Sequence, residues 1–177
     1  MSLSIGMETV NMTPLEYARM MDEAMTRLGA MRARGELVYR CKEHALIVHG
    51  REAFGNHYDP MTHDPIPKAP KQCFRNAIMG ALRYPALTYT EGLALSSPDM
   101  PIAVHHAWLT ASDGKVIDPT WGGSDRDPSY LGIQMVTKRV WDLFVESDTY
   151  CSVLDNWGDG HRVYTEPGRL QHFMKEE

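Results

Sequence analysis

An α+β domain is the architecture this sequence predicts. Three observations point to it. A capped amphipathic helix opens the chain, and a second helix-forming run starts at Cys73. Short strands with turn signals between them then fill residues 87–136, before helix-forming sequence returns at 137. With 177 residues and 43% hydrophobic content, one domain spanning 1–177 can bury a core.

Thr13-Pro14-Leu15-Glu16 is a capping box with proline at the first helical position. Leu15, Ala18, Met21, Met25, Leu28 and Met31 recur near helical period, Arg32 and Arg34 fall in the last turn, and Gly35 suits a left-handed cap. A helix over about 14–34 follows. Leu37–Cys41 and Ala45–Val48 read as two short strands or one interrupted strand, with Cys41 a small buried hydrophobe. Gly50 to Pro70, with Pro60, Pro65, Pro67 and Pro70, reads as loop.

The run from about Gln72 to Arg83 puts Phe74, Ala77, Ile78, Ala81 and Leu82 on a broad apolar face, and Pro85 ends it. Strands are expected over 87–95, 102–110, 115–118 and 130–136, with Asp113-Gly114 as a hairpin turn. Residues 137–144 and 148–157 read as short helices, and the tail after Gly158 as irregular. The 12 methionines are read as adaptable core filler.

Bulk properties exclude several classes. A net charge of -5 argues against binding a nucleic-acid backbone. No apolar run is long enough to span a membrane, and the first residues lack the basic and apolar regions of a secretory signal. Three widely spaced cysteines without Cys-x-x-Cys argue against a disulfide framework or a zinc-thiolate site, so a reducing, cytoplasmic setting is the expectation. His57, Asp59, His63 and Asp64 match no metal-ligand spacing, and a solvated loop is the simpler reading. A metal site built on His57, His63, His105 and His106 is the weakest alternative, and no cofactor is expected.

The chemistry gathers on three segments. Cys73 stands in the first turn of a helix, where unpaired N–H groups and the dipole favour an anion and so a thiolate. On the strand Val104-His105-His106-Ala107-Trp108, alternation puts Ile102, Val104, His106 and Trp108 on one face and His105 on the other. The hairpin through Asp113-Gly114 returns Asp118 beside His106. A carboxylate there can orient an imidazole, which can take a thiol proton and later protonate a leaving group. Each residue alone has a plainer reading: a core cysteine, a surface histidine pair and an Asp-Pro turn.

As a set, Cys73 on a helix, then His106-Ala107-Trp108, then Asp118-Pro119-Thr120 resembles the transglutaminase-like superfamily of papain-like cysteine enzymes. Tyr89-Thr-Glu-Gly92 is similar to the Tyr-x-x-Gly strand that such proteins place between cysteine and histidine. The resemblance covers about Gln72 to Thr120, within a catalytic core of about 71–136. It implies Cys73 as nucleophile, His106 as general base and acid, and Asp118 as orienter. It also implies that His105 is not the catalytic histidine, and that the cysteine helix packs on an antiparallel sheet bearing the other two residues. Gln72-Cys73-Phe74-Arg75 departs from the common Gly-x-Cys pattern. The oxyanion would rest on the Cys73 N–H and a second donor, with Gln72 or Tyr58 as candidates and Trp108 beside the substrate.

Such a set would form a thioester from an amide or ester carbonyl. Water as acceptor makes the chain an amidase or protease acting on a peptide or small amide. An amine acceptor makes it a transglutaminase, and an external thioester donor an acyltransferase similar to arylamine N-acetyltransferases. Hydrolysis is favoured because superfamily members of this size resemble hydrolases more often. A silent binding domain of the same fold is the other class. The loops at 50–70 and 121–129 are the expected cleft walls, and the sequence assigns no oligomeric state.

Overall fold

A computed structural model describes residues 12–27, 38–39, 41–63, 66, 68–97, 102–122 and 127–176. It is an α+β fold whose five strands form one antiparallel sheet in the order β1-β5-β2-β3-β4. The strands are β1 (Arg51–Phe54), β2 (Thr88–Leu95), β3 (Val104–Thr110), β4 (Val116–Ile117) and β5 (Ser129–Gln134). The helices are α1 (Pro14–Arg27), α2 (Lys42–His49), α3 (Cys73–Arg83), α4 (Thr137–Ser147), α5 (Arg162–Thr165) and α6 (Arg169–Phe173).

The capping box at α1 forms as read. Glu16 N–H donates to Thr13 Oγ1 at 3.2 Å, and Thr13 N–H donates to Glu16 Oε2 at 2.7 Å. Residues 28–37, including the expected last turn and glycine cap, lie outside the described residues.

Two strand assignments need correction. The apolar run at Ala45–Val48 belongs to helix α2, not to a strand. Ala45 and Leu46 are adjacent and both buried while Val48 is exposed, so burial does not alternate as a strand requires. Val38 and Tyr39, from the other expected strand, donate their N–H groups to the Tyr164 carbonyl outside the sheet. Conversely, the loop expected over 50–70 begins with edge strand β1, whose largely exposed side chains carry no period-two signal and whose register comes from β5.

The sheet curls into a half-barrel. Gly92 faces Gly132 across β2 and β5. A Cβ at Gly92 would strike the Leu131 carbonyl, and one at Gly132 would strike the Trp108 ring, so both positions must lack a side chain. Beyond β1 the chain crosses towards β4, with His57 N–H donating to the Val116 carbonyl at 2.8 Å. One face, with Leu93, Ala107, Leu109, Leu131 and Ile133, packs under the helices. The opposite face holds a smaller cluster of Ala94, Trp108, Val116 and Tyr130.

One carboxylate ties the last third of the chain to this sheet. Glu91 on β2 is fully buried. It accepts from Tyr89 Oη at 3.0 Å, His105 Nε2 at 3.0 Å, the Val153 and Leu154 N–H groups at 2.9 and 2.8 Å, and Ser152 Oγ. Here the helix expected over 148–157 is absent. Asp148 takes left-handed φ and ends α4, and the amides at 153 and 154 serve Glu91 rather than a helix ladder. The tail expected to be irregular carries α5 and α6.

Burial works against the Glu91 charge, but His105, Ser152 and the Val153 N–H outweigh it and hold the carboxyl below its ordinary 4.5. That stability is present above pH 4.5 and is lost as pH falls through the lower folded value. Glu91→Gln is expected to cost about 2 kcal/mol, a fall in Tm of roughly 4–8 °C, because charged hydrogen bonds become neutral ones and one acceptor becomes a donor. Thermal unfolding followed against pH checks it. An unchanged Tm near neutral pH would sink the anchoring role.

Candidate active site

Cys73 is the first residue of α3, whose first turn contains no acidic side chain. First-turn N–H groups have no intrahelical partner, so they remain available to a developing anion. The backbone reaches this point under strain: Lys71, two residues earlier, sits at φ 59. Buried Asn76, one turn into α3, fixes the approach. It accepts from the Ala69 N–H at 3.2 Å, and its amide donates to the Ala69 carbonyl at 2.8 Å and to Thr120 Oγ1 at 3.0 Å. Asn76 thus joins the cysteine helix to the Asp118-Pro119-Thr120 segment.

His106 stands on the same face of β3 as Trp108, opposite Gly92 in the register. Its Nε2 donates to Asp118 Oδ2 at 2.7 Å, which leaves Nδ1 as the nitrogen not engaged by that carboxylate. Burial disfavours the charged ring. The Asp118 carboxylate, by charge and hydrogen bond, and then the Cys73 sulfur outweigh that effect, and the imidazole is raised from 6.5 to about 9. The ring therefore keeps its proton through neutral pH. Trp121 stacks on it at 4.4 Å and 16°, and Trp108 lies at 6.3 Å and 21°. Both indole faces favour a cation.

Asp118 is itself fully committed. Its Oδ2 also accepts from Tyr130 Oη at 3.2 Å, while Oδ1 accepts the Thr120 and Trp121 N–H groups at 2.9 and 3.2 Å. Burial, followed by the neighbouring Asp118 charge, drives the Tyr130 hydroxyl far above its ordinary value, so it stays a donor. Asn56 clamps the backbone of the same turn. Its Oδ1 accepts from the Asp118 N–H at 2.9 Å, and its Nδ2 donates to the Asp118 and Gly122 carbonyls at 2.9 and 2.7 Å.

His106 thus bonds Asp118 and feels the Cys73 sulfur, and His105 turns the other way. Its Nε2 bonds Glu91 and its ring meets Phe74 at 5.5 Å. The three auxiliary candidates are placed differently. Exposed Gln72 accepts from Arg75 Nη1 at 3.0 Å on its side-chain oxygen. Tyr58 is buried against His63 and under Lys68, and its hydroxyl has no hydrogen-bond partner among the described residues. Trp108 is 1% exposed, so it supports the imidazole from within the core and walls no cleft.

Burial pushes the Cys41 thiol up to about 11 and raises that of Cys151. Among the described residues, no three His, Cys, Asp or Glu side chains converge on a metal-sized site, and no helix is long and apolar enough to cross a membrane. A cleft of about 650 Å³ is lined by residues including Arg51, Asp113 and Lys175, and Cys73 is not among its walls. No family model, no curated protein and no solved structure matches this chain.

Sequence reasoning passed over Asn56, Asn76, Trp121 and Tyr130. Asn56 falls within the loop expected over 50–70, and Trp121 at the start of the loop expected over 121–129. Asn76 carried a usable signal: a short polar side chain on an otherwise apolar helical stripe needs buried partners.

Proposed function

We propose that this chain is a cysteine-nucleophile acyl-transfer enzyme that hydrolyses an amide or peptide bond through a thioester. The observation that carries this reading is His106, which bonds Asp118 through Nε2 at 2.7 Å and whose imidazole is raised by Asp118 and by the neighbouring Cys73 sulfur. The cysteine helix on an antiparallel sheet that bears the histidine and aspartate also supports a papain- or transglutaminase-like assignment.

The Cys73 sulfur attacks the carbonyl carbon, and its negative charge moves to the carbonyl oxygen beside the first-turn N–H groups of α3. The imidazolium of His106 gives its proton to the leaving amine as the C–N bond breaks, which leaves a thioester on Cys73. The now neutral ring takes a proton from water as the water oxygen attacks the thioester. The acid is released and the thiolate–imidazolium pair returns. Asp118 holds one tautomer throughout.

Iodoacetamide labelling near neutral pH, read by peptide mass spectrometry, tests the nucleophile. Cys73 is expected to be labelled well ahead of Cys41 and Cys151. Incubation with small ester and amide substrates is then expected to add an acyl mass to Cys73 that hydroxylamine removes. Labelling of Cys41 or Cys151 ahead of Cys73 would overturn the reading.

A further inference from the structure

The chain carries a net charge of -5, yet the approach to Cys73 is positive. Exposed Lys71 and half-buried Arg75 stand two residues to either side of the thiol, and exposed Lys68 lies just upstream. Five cations elsewhere are paired: Lys42, Lys115, Lys138, Arg162 and Arg169 each have a carboxylate within 4.0 Å. Among the described residues, Lys68, Lys71 and Arg75 have none. Lys68 Nζ lies 5.0 Å from the Tyr58 ring centroid, and Arg75 lies 5.9 Å from that of Tyr150. Arg75 Nη1 donates to Gln72 Oε1 at 3.0 Å, which draws the guanidinium to the start of the helix and leaves its other N–H groups free to serve as a carboxylate fork.

From this local surplus we infer that the site selects an acyl donor carrying a carboxylate near its reacting carbonyl, as in an acidic peptide, with Lys71 and Arg75 as the counter-ions. The helix dipole acts in the same sense. The inference rests on Cys73 being the nucleophile.

Two alkylating reagents that differ in charge test it. In each case the Cys73 sulfur bonds the methylene carbon and iodide leaves, but iodoacetate carries a carboxylate and iodoacetamide does not. The iodoacetate-to-iodoacetamide rate ratio at Cys73 is compared between the folded protein and the chain unfolded in urea. In low salt the folded ratio is expected to exceed the unfolded one by about fivefold, a modest case of charge steering. High salt should erase the excess by screening. Lys71→Glu with Arg75→Glu should invert it, and Lys71→Gln with Arg75→Gln should remove most of it. Equal ratios in folded and unfolded protein, or a ratio that ignores both salt and variants, overturn the inference while leaving a reactive Cys73 intact. If folded Cys73 takes neither reagent, the nucleophile reading falls and this inference falls with it.

Discussion

His106→Gln is expected to slow iodoacetamide alkylation of Cys73 at neutral pH on the order of 10²-fold, the usual worth of a positioned base. Glutamine can still donate to Asp118, so the bond recorded at 2.7 Å keeps a donor and the fold should persist. A rate that ignores the substitution would show that no imidazole activates the thiol. The unchanged protein supplies a second reading through pH. Its imidazole is raised to about 9, so the stability contributed by the charged ring is complete below the ordinary 6.5 and drains away as pH rises to about 9. Amide turnover needs the ring proton for the leaving group and is expected to fail above about pH 9. Alkylation needs no such proton and should not fail there.

Asp118→Ala is expected to be the most destabilising change at the site. It strands four donors: the His106 ring, the Tyr130 hydroxyl and the Thr120 and Trp121 N–H groups. The nearest precedent is a buried pair broken by removing one partner, about 3–5 kcal/mol, which for a domain of this size lowers Tm by roughly 6–20 °C. Asp118→Asn separates structure from chemistry. Its amide oxygen can still accept the two backbone N–H groups, so much of the stability should return. Its NH2 cannot accept from His106, so the charged ring loses its counter-ion and Cys73 alkylation near neutral pH should stay slow. Calorimetry and labelling on the same preparations check both halves. Full recovery of labelling in the Asp118→Asn protein would remove Asp118 from any role beyond packing.

The parts legible in the sequence were those whose determinants are local. The capping box at Thr13–Glu16, the apolar stripe from Phe74 to Ala81 and the alternation that separates His105 from His106 all operate within a few residues. So does the turn at Asp113-Gly114 that delivers Asp118. What stayed hidden depends on partners far along the chain. Strand β1 exists because β5 offers a ladder, and nothing within Arg51–Phe54 announces it. Helix α2 was lost because a short apolar run carries no period of its own. Asn56 and Asn76 look like ordinary polar residues until the backbones of 118–122 and 69 are in place. Glu91 was read as one letter of a Tyr-x-x-Gly segment, when its donors stand as far as 63 residues downstream.

That last separation bears on the order in which the molecule matures during synthesis. Until residues 152–154 leave the ribosome, Glu91 has only Tyr89 and His105 to satisfy it, and a carboxylate so poorly supplied must stay in water. The helix-covered side of β2 therefore cannot close early, although Cys73, His106 and Asp118 have already been made. Closure depends on contacts between distant parts of the chain, which form slowly. The thiol accordingly acquires its finished surroundings only after residues 152–154 have been made, and a shorter nascent chain holds Cys73 against a sheet that has not yet closed.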